Sequence, residues 1–506
     1  MTKKNRTRNA FLTVTTSLLA EAISLVCGLI LPKLILNNFG SAYNGVTQSI
    51  TQFISYISLM KAGIGGATAV ALYEPLSNKD NVRISEILAA TQKFMRKIAL
   101  IFVAFIVCLA IIYPIFIVRE FDWWFTSSLI FIISISTFAT YYFGFTYQTL
   151  LNADQKAYVV TLLSIFTTIL NTIISVILIK NNFSIHVVKL GSSITSIITP
   201  VFLFFYVRKK YSILSDVKPN LDVIPQRWDA TAHEVASFVN NNVDIVLLSF
   251  FTSMSEISVY TVYHYVISNL KKIVNNCTVG FGAAFGDMYA KGEIKLMHKN
   301  LSIFELITFS LTSILFSVAL ATILPFVAIY TNGVNDTNYI RPTLALIAIL
   351  AGTFNCFRIP YRVIVINVGH YKQTKNGAIM EAIINIVISI IGIIKFGVVG
   401  ALFGTLCAMM FRTLQFAIYL SRNIMNRNIK YFIKHSIICF VIMCVVYCVS
   451  KLYLNIIDSW FKWMAFAAIT TLIATVITLL TDLIFYKEDM ENLIVKLRTN
   501  IFKGKI

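Results

Sequence analysis

Apolar residues run along this chain in blocks of roughly 20, the length that crosses a bilayer core, and short polar connections separate the blocks. Hydropathy predicts spans near residues 10–37, 43–72, 98–118, 126–150, 158–180, 187–207, 232–252, 257–287, 300–330, 339–368, 376–395, 398–420, 435–456 and 461–485. That is about fourteen transmembrane helices. The pattern also implies three parts: a first six-helix bundle over 1–220, a second over 221–425, and two additional helices with a tail over 426–506. The connection at 208–231, with Pro219 and Pro225, marks the boundary between the two bundles.

Composition agrees with the pattern. The 506 residues are 57% hydrophobic and only 13% charged, and the mean hydropathy is +0.76. A water-soluble protein of this size has no way to hide so much apolar surface. The formal charge of +20 comes from Lys and Arg spread over short connections, not gathered on one basic domain, so a nucleic-acid partner is not expected. Topology accounts for them better. With the N-terminus in the cytoplasm, Lys79, Arg83, Lys93, Arg96 and Lys97 share one inside loop, and Arg422, Arg427, Lys430 and Lys434 share another. The opposite connections, such as 181–185 and 331–338, carry almost no basic residue. Both termini are then cytoplasmic. The basic start at Lys3, Lys4, Arg6 and Arg8 leads into a first span longer than a signal-peptide core, which is kept as a helix. The eight cysteines lie in or beside the spans, where they pack as small apolar groups. Cys444 and Cys448 stand one turn apart without further ligands, so no metal is expected.

A shift of roughly 210–215 residues brings similar features into register. Glu21 falls opposite Glu234. Lys61, followed by Gly63, Gly65, Gly66 and Ala67, corresponds to Lys271 and Lys272, followed by Gly280, Gly282, Ala283 and Ala284. Leu151-Asn152 and Lys156 match Ile366-Asn367 and Lys372. An even number of helices per half makes the repeat parallel, and a central cavity between pseudo-symmetric halves is expected.

Several ionisable residues sit well inside the predicted spans: Lys61, Lys271, Lys272, Arg358, Glu21 and Asp244. Each costs about 2.5–3.5 kcal/mol to insert when charged, roughly 15–20 kcal/mol for six, so they must be paired or must face water inside the bundle. Helical spacing groups them with other polar side chains. One face of the first helix carries Thr13, Ser17, Glu21, Ser24 and Gly28, and the second aligns Thr47, Thr51, Ser58 and Lys61. The seventh aligns His233, Ser237, Asn240 and Asp244. The eighth aligns Tyr260, His264, Ser268, Lys271 and Asn275, and the tenth Asn355, Arg358 and Arg362. Lys33, Glu305, Arg341, Glu381 and Arg412 fall nearer the predicted helix ends, within reach of the interface by snorkelling.

Counting all of these gives about eight basic residues against about five acidic ones, a surplus of roughly three that would attract an anion in a low-dielectric chamber. Lys61, Lys271, Lys272, Arg358 and Arg362 are the candidate binding residues for a phosphate or diphosphate, with the arginines forking onto its oxygens. The competing reading makes the charges internal salt bridges, Lys61 with Glu21 or Lys271 with Asp244. Glu21, Asp244, His264, Asn240 and Asn275 are candidate cavity or coupling residues; Glu21 and Asp244 could carry coupling H⁺ or Na⁺, and no cofactor is expected.

The opening helix pair contains Leu31-Pro32-Lys33-Leu34, Phe39-Gly40, Asn44-Gly45, Ser49-Ile50-Thr51-Gln52-Phe53 and Ala62-Gly63-Ile64-Gly65-Gly66-Ala67. Here the chain resembles the Wzx-like polysaccharide transporters, oligosaccharidyl-lipid flippases of the multidrug/oligosaccharidyl-lipid/polysaccharide (MOP) superfamily, most strongly over residues 10–90. The resemblance implies an all-α, MATE/MOP-like membrane fold in which two six-helix bundles surround a V-shaped cavity. It further implies alternating access in a bacterial cytoplasmic membrane, with an undecaprenyl-diphosphate-linked oligosaccharide as substrate. Other membrane proteins of polysaccharide assembly are expected partners. Basic cavity residues of the family are matched by Lys61, Lys271, Lys272 and Arg358 in type and depth. In the related peptidoglycan-precursor flippases the two extra helices form a groove for the lipid tail, a role open here to helices thirteen and fourteen.

Two rivals stay in view. A cation-coupled multidrug exporter of the same superfamily should favour carboxylates over the basic surplus. A membrane-bound polysaccharide polymerase needs a long external loop or a nucleotide-sugar domain, and the predicted connections are too short for either. A transporter is therefore expected, not an enzyme.

Overall fold

The structure is a computed structural model that describes residues 3–61, 64–117, 120–214, 217, 238, 242–278, 281–453 and 457–503. Those residues are almost entirely helical, and no strand occurs among them. Among the described residues eleven helices are long and apolar enough to cross a membrane, or twelve if the bent pair Ser41–Lys61 and Ile64–Asn78 counts as one span. Two of the predicted spans fall partly outside the described residues and are not among them. Of 232–252, only Asn242–Phe251 is a described helix. Over 257–287 the described helices are Met254–Thr278, which carries Lys271, Lys272, His264 and several amides, and Phe281–Ala290.

The described residues fall into two compact units. Unit 1 spans 1–238 together with Thr252–Ser258. It contains α1 (Lys3–Phe39), α2 (Ser41–Ser55), α3 (Ile64–Asn78), α4 (Asn81–Phe116), α5 (Trp123–Ala139), α6 (Phe145–Ala153), α7 (Ala157–Lys180) and α8 (Ile185–Lys210). Helix α4 begins 17 residues before its predicted span because Asp80 caps it, accepting from the Arg83 N–H at 3.0 Å. Hydropathy registers where a helix turns apolar, not where it starts. The second span is interrupted: α2 ends in a 3₁₀ turn, Tyr56–Lys61, and α3 leaves at 43° to it. The fourth span carries a π-bulge at Thr140–Gly144, where Gly144 lies against Pro200 of α8; a Cβ there would come within 2.9 Å of the proline ring. Along its outer faces α4 leaves Leu100 and Phe116 well exposed, as a lipid-facing surface requires.

Unit 2 spans 239–251 and 259–506. It contains α9 (Asn242–Phe251), most of α10 (Met254–Thr278), α11 (Phe281–Ala290), α12 (Ile294–Tyr330), α13 (Pro342–Phe357), α14 (Ile359–Asn367), α15 (Tyr371–Phe396), α16 (Val398–Asn423), α17 (Lys430–Leu452), α18 (Trp460–Phe485) and α19 (Lys487–Lys503). Its tightest pair is α15 with α16, joined by Gly397 alone at φ +58°, a conformation that favours glycine. The two backbones touch where Gly392 meets Gly400; a Cβ on Gly400 would collide with the Gly392 carbonyl. Helices α17 and α18 pack on α12, with Ile442, Val446 and Ala474 forming a small buried core.

The two units repeat one plan. Helices α2, α4 and α8 start at Ser41, Asn81 and Ile185, and α10, α12 and α16 start at Met254, Ile294 and Val398, each 213 residues later. Each unit also splits its fourth span into a long helix and a nine-residue one, α6 and α14. The breaks recur with the helices, which a chance likeness of apolar segments would not produce.

Candidate functional site

Asp244 is the best-formed polar centre of unit 2. It is 4% exposed on α9, and its Oδ2 accepts from Tyr260 Oη at 2.9 Å and Thr405 Oγ1 at 2.7 Å. Its Oδ1 is buried with no hydrogen-bond partner. Asn385 Oδ1 lies 3.4 Å from Thr405 Oγ1, so three oxygen-bearing side chains from α9, α15 and α16 converge. Of the polar face predicted on α10, Tyr260, His264 and Lys271 line one cleft, while Asn275 bonds Arg362. Tyr260 stacks on His264 at 5.4 Å, and Asp244, Thr405 and Met409 line the same cleft. The cleft encloses about 440 Å³ of empty space including its open mouth.

A second charged cluster flanks it. Arg358 stands at the junction of α13 and α14, just before Pro360, and donates to Glu381 Oε1 at 2.7 Å. The same carboxylate lies 3.4 Å from Arg412 Nε. Arg412 also donates to the Thr374 carbonyl at 3.1 Å and to Gln415. Arg362 donates to Asn275 Oδ1 at 3.2 Å, tying α14 to α10. Lys271, Arg358, Arg362 and Arg412 thus lie within unit 2 together with two carboxylates, Glu381 and Asp244.

In unit 1, Lys61 ends the 3₁₀ turn and places its ammonium 5.1 Å from the Tyr141 ring centre and 5.7 Å from that of Phe145, both at the π-bulge. Among the described residues neither Lys61 nor Lys271 has a carboxylate within 4.0 Å, so the salt bridges considered from sequence, Lys61 with Glu21 and Lys271 with Asp244, do not form. Glu21 is half-buried on α1, and Lys272 is exposed on α10. Asn240, with His233, Glu234 and Ser237, lies outside the described residues.

Three residues expected to snorkel are instead buried and paired. Glu305, Glu381 and Arg412 are 1%, 5% and 2% exposed. The helices extend beyond their apolar stretches, so positions near a hydropathy boundary lie deep in the bundle; Glu305 is the twelfth residue of α12. Glu305 accepts from Tyr361 Oη and from Arg427, each at 2.6 Å. Thr405 and Asn385 went unnoticed in the sequence, although Glu381, Asn385 and Ser389 at intervals of four form a polar stripe on α15.

No family model and no curated protein matches this chain. Solved structures do match its fold. The lipid II flippase MurJ in an inward closed conformation is 18% identical, covers 94% of this chain and 99% of its own, and gives a TM-score of 0.69. The MATE multidrug transporter DinF-BH, in complex with R6G, is 16% identical with coverages of 81% and 95% and a TM-score of 0.58. An outward-facing multidrug resistance MATE family transporter of the MOP superfamily is 12% identical with coverages of 85% and 97% and a TM-score of 0.56. The chain has the all-helical membrane fold common to MurJ and the MATE transporters.

Proposed function

We propose that this chain is a flippase that carries an undecaprenyl-diphosphate-linked oligosaccharide across a bacterial cytoplasmic membrane by alternating access. The fold is shared by a lipid-linked flippase and by drug exporters, so fold alone does not choose between them. The observation that carries the choice is the basic charge: Arg358 and Arg412 share one carboxylate, while Lys271 and Arg362 have none within ion-pair distance among the described residues. Such a site favours a diphosphate and opposes a cationic drug. Lys61, Lys271, Lys272, Arg358 and Arg362 are the proposed head-group residues, with the lysines as mobile point charges and the arginines as planar donors. Asp244, with Glu21, His264, Asn240 and Asn275 as further polar groups, is the proposed coupling residue; its unpartnered Oδ1 suits a proton or Na⁺.

The exporter reading keeps one observation in its favour, the buried carboxylate of Asp244 in the cleft. Alanine at Lys61, Lys271 and Arg362 together decides. The flippase reading expects loss of surface polysaccharide and accumulation of lipid-linked oligosaccharide on the inner leaflet. Normal export by the triple variant, or drug efflux in its parent, would overturn it. The proposed topology has both termini cytoplasmic and three parts, two bundles over 1–220 and 221–425 and an accessory pair over 426–506. Other polysaccharide-assembly proteins are the proposed partners in the membrane.

A further inference from the structure

Among the described residues, the buried carboxylates of unit 2 differ in what faces them. Glu381 has two guanidiniums, Glu305 has Arg427 and the Tyr361 hydroxyl, and Asp244 has two hydroxyl donors. Asp482 of α18 is 4% exposed and has no basic group within 4.0 Å among the described residues. Its polar contact is Ser310 of α12, whose Oγ lies 2.6 Å from Asp482 Oδ2.

That contact poses a question of proton count. Ser310 Oγ also lies 2.7 Å from the Leu306 carbonyl, one turn back on its own helix. A serine hydroxyl owns a single proton, and a carbonyl owns none. If Ser310 donates to Leu306, the short contact to Asp482 needs its proton from the carboxyl. The chain Asp482 O–H to Ser310 Oγ, then Ser310 O–H to the Leu306 carbonyl, satisfies all three oxygens.

The surroundings point the same way. The titratable groups facing Asp482 are Cys439 of α17 and Tyr486, just past the end of α18. Tyr486 stacks on the buried His435 of α17 at 4.2 Å, and the Lys434 ammonium lies 4.5 Å from the tyrosine ring centre, spent on the ring and on the Phe485 carbonyl. None of these neutralises a carboxylate at Asp482. Four buried polar atoms on the same three helices and their end, Ser317 Oγ, Ser436 Oγ, Thr478 Oγ1 and Tyr486 Oη, have no hydrogen-bond partner, and Thr478 stands one turn from Asp482 on the same face. This polar seam joins α17 and α18 to α12, outside the Asp244 cleft.

We propose that Asp482 is a proton-binding site at the seam between α18 and α12, donating to Ser310 while it holds its proton. While the proton is held the accessory helices dock on α12 through a neutral hydrogen-bond chain. Its release leaves an uncompensated negative charge in a dry interface, so the attachment of α17 and α18 loosens as pH rises.

Infrared spectra of the full-length protein in lipid nanodiscs test this at mildly acidic pH. Asp482→Asn should remove one protonated-carboxyl carbonyl band, and Ser310→Ala should shift that band without removing it. In the wild type the band should vanish as pH is raised, with a parallel gain in amide exchange along α18. A difference spectrum between wild type and Asp482→Asn that contains only ionised-carboxylate bands overturns the proposal. So does a band that Na⁺ removes at constant pH, which would make the seam a cation site. Should Asp482→Asn fail to fold, an unshifted band in Ser310→Ala overturns it independently.

Discussion

Glutamine at Glu381 is the sharpest test of how the basic cluster is held. The native carboxylate lies 2.7 Å from Arg358 NH1 and 3.4 Å from Arg412 Nε, and it is 5% exposed. Two unit charges about 4 Å apart attract by about 4 kcal/mol at an effective dielectric constant near 20. Removing one member of a buried pair costs about 3–5 kcal/mol, because the remaining charge stays desolvated. Arg412 keeps its bonds to the Thr374 carbonyl and Gln415, so the loss concentrates on Arg358, whose side-chain acceptor is Glu381. Glu381→Gln should therefore destabilise unit 2 by about 3–5 kcal/mol in reversible denaturation from mixed micelles. Arg358→Gln combined with Glu381→Gln should recover part of that, with a coupling energy of about 2 kcal/mol or more. A single variant as stable as the wild type, or a double variant whose losses simply add, would refute the view that Glu381 holds the two arginines in place.

Four further expectations follow from contacts elsewhere. Gly45→Ala drives a Cβ into the Met254 carbonyl inside unit 1 and should cost at least about 1–3 kcal/mol, read as a lower unfolding midpoint; an unchanged midpoint would mean that this approach is not formed. Gly400→Ala should separate α15 from α16 at the Gly392 contact at a similar cost of about 1–3 kcal/mol, detected as faster amide exchange in both helices. Lys271→Ala should leave folding intact, since Lys271 has no ion pair among the described residues, while transport falls at least about 10-fold. Asp244→Asn keeps a side chain of the same shape beside Tyr260 and Thr405 and should abolish the dependence of transport on H⁺ or Na⁺; a variant that still responds to the ion would remove Asp244 from the coupling role.

How far the sequence reveals this molecule depends on whether the information is local. Apolar runs and their spacing are local, so the spans and the repeat were legible, and the repeat reappears as helix starts 213 residues apart. Helix breaks were less so: the π-bulge at Thr140–Gly144 depends on Gly144 meeting Pro200, 56 positions away, and no nearby residue announces it. The same contrast runs through the site. Tyr260, His264 and Lys271 sit at helical intervals on one element and could be read as one face. Thr405, which bonds Asp244 from 161 positions away, carries no local signature. Glu305 and Arg427 were separately visible as charges, but their pairing across 122 positions is a product of packing.

The account rests on basic side chains that hold a diphosphate head group. Binding of a fluorescent polyprenyl diphosphate to the purified protein, measured beside the matching monophosphate, tests it most directly. The account predicts tighter binding of the diphosphate, weakened by salt and reduced at least about 10-fold when Lys61, Lys271 and Arg362 are all alanine. Equal binding of the two lipids, or undiminished binding by the triple variant, would contradict it.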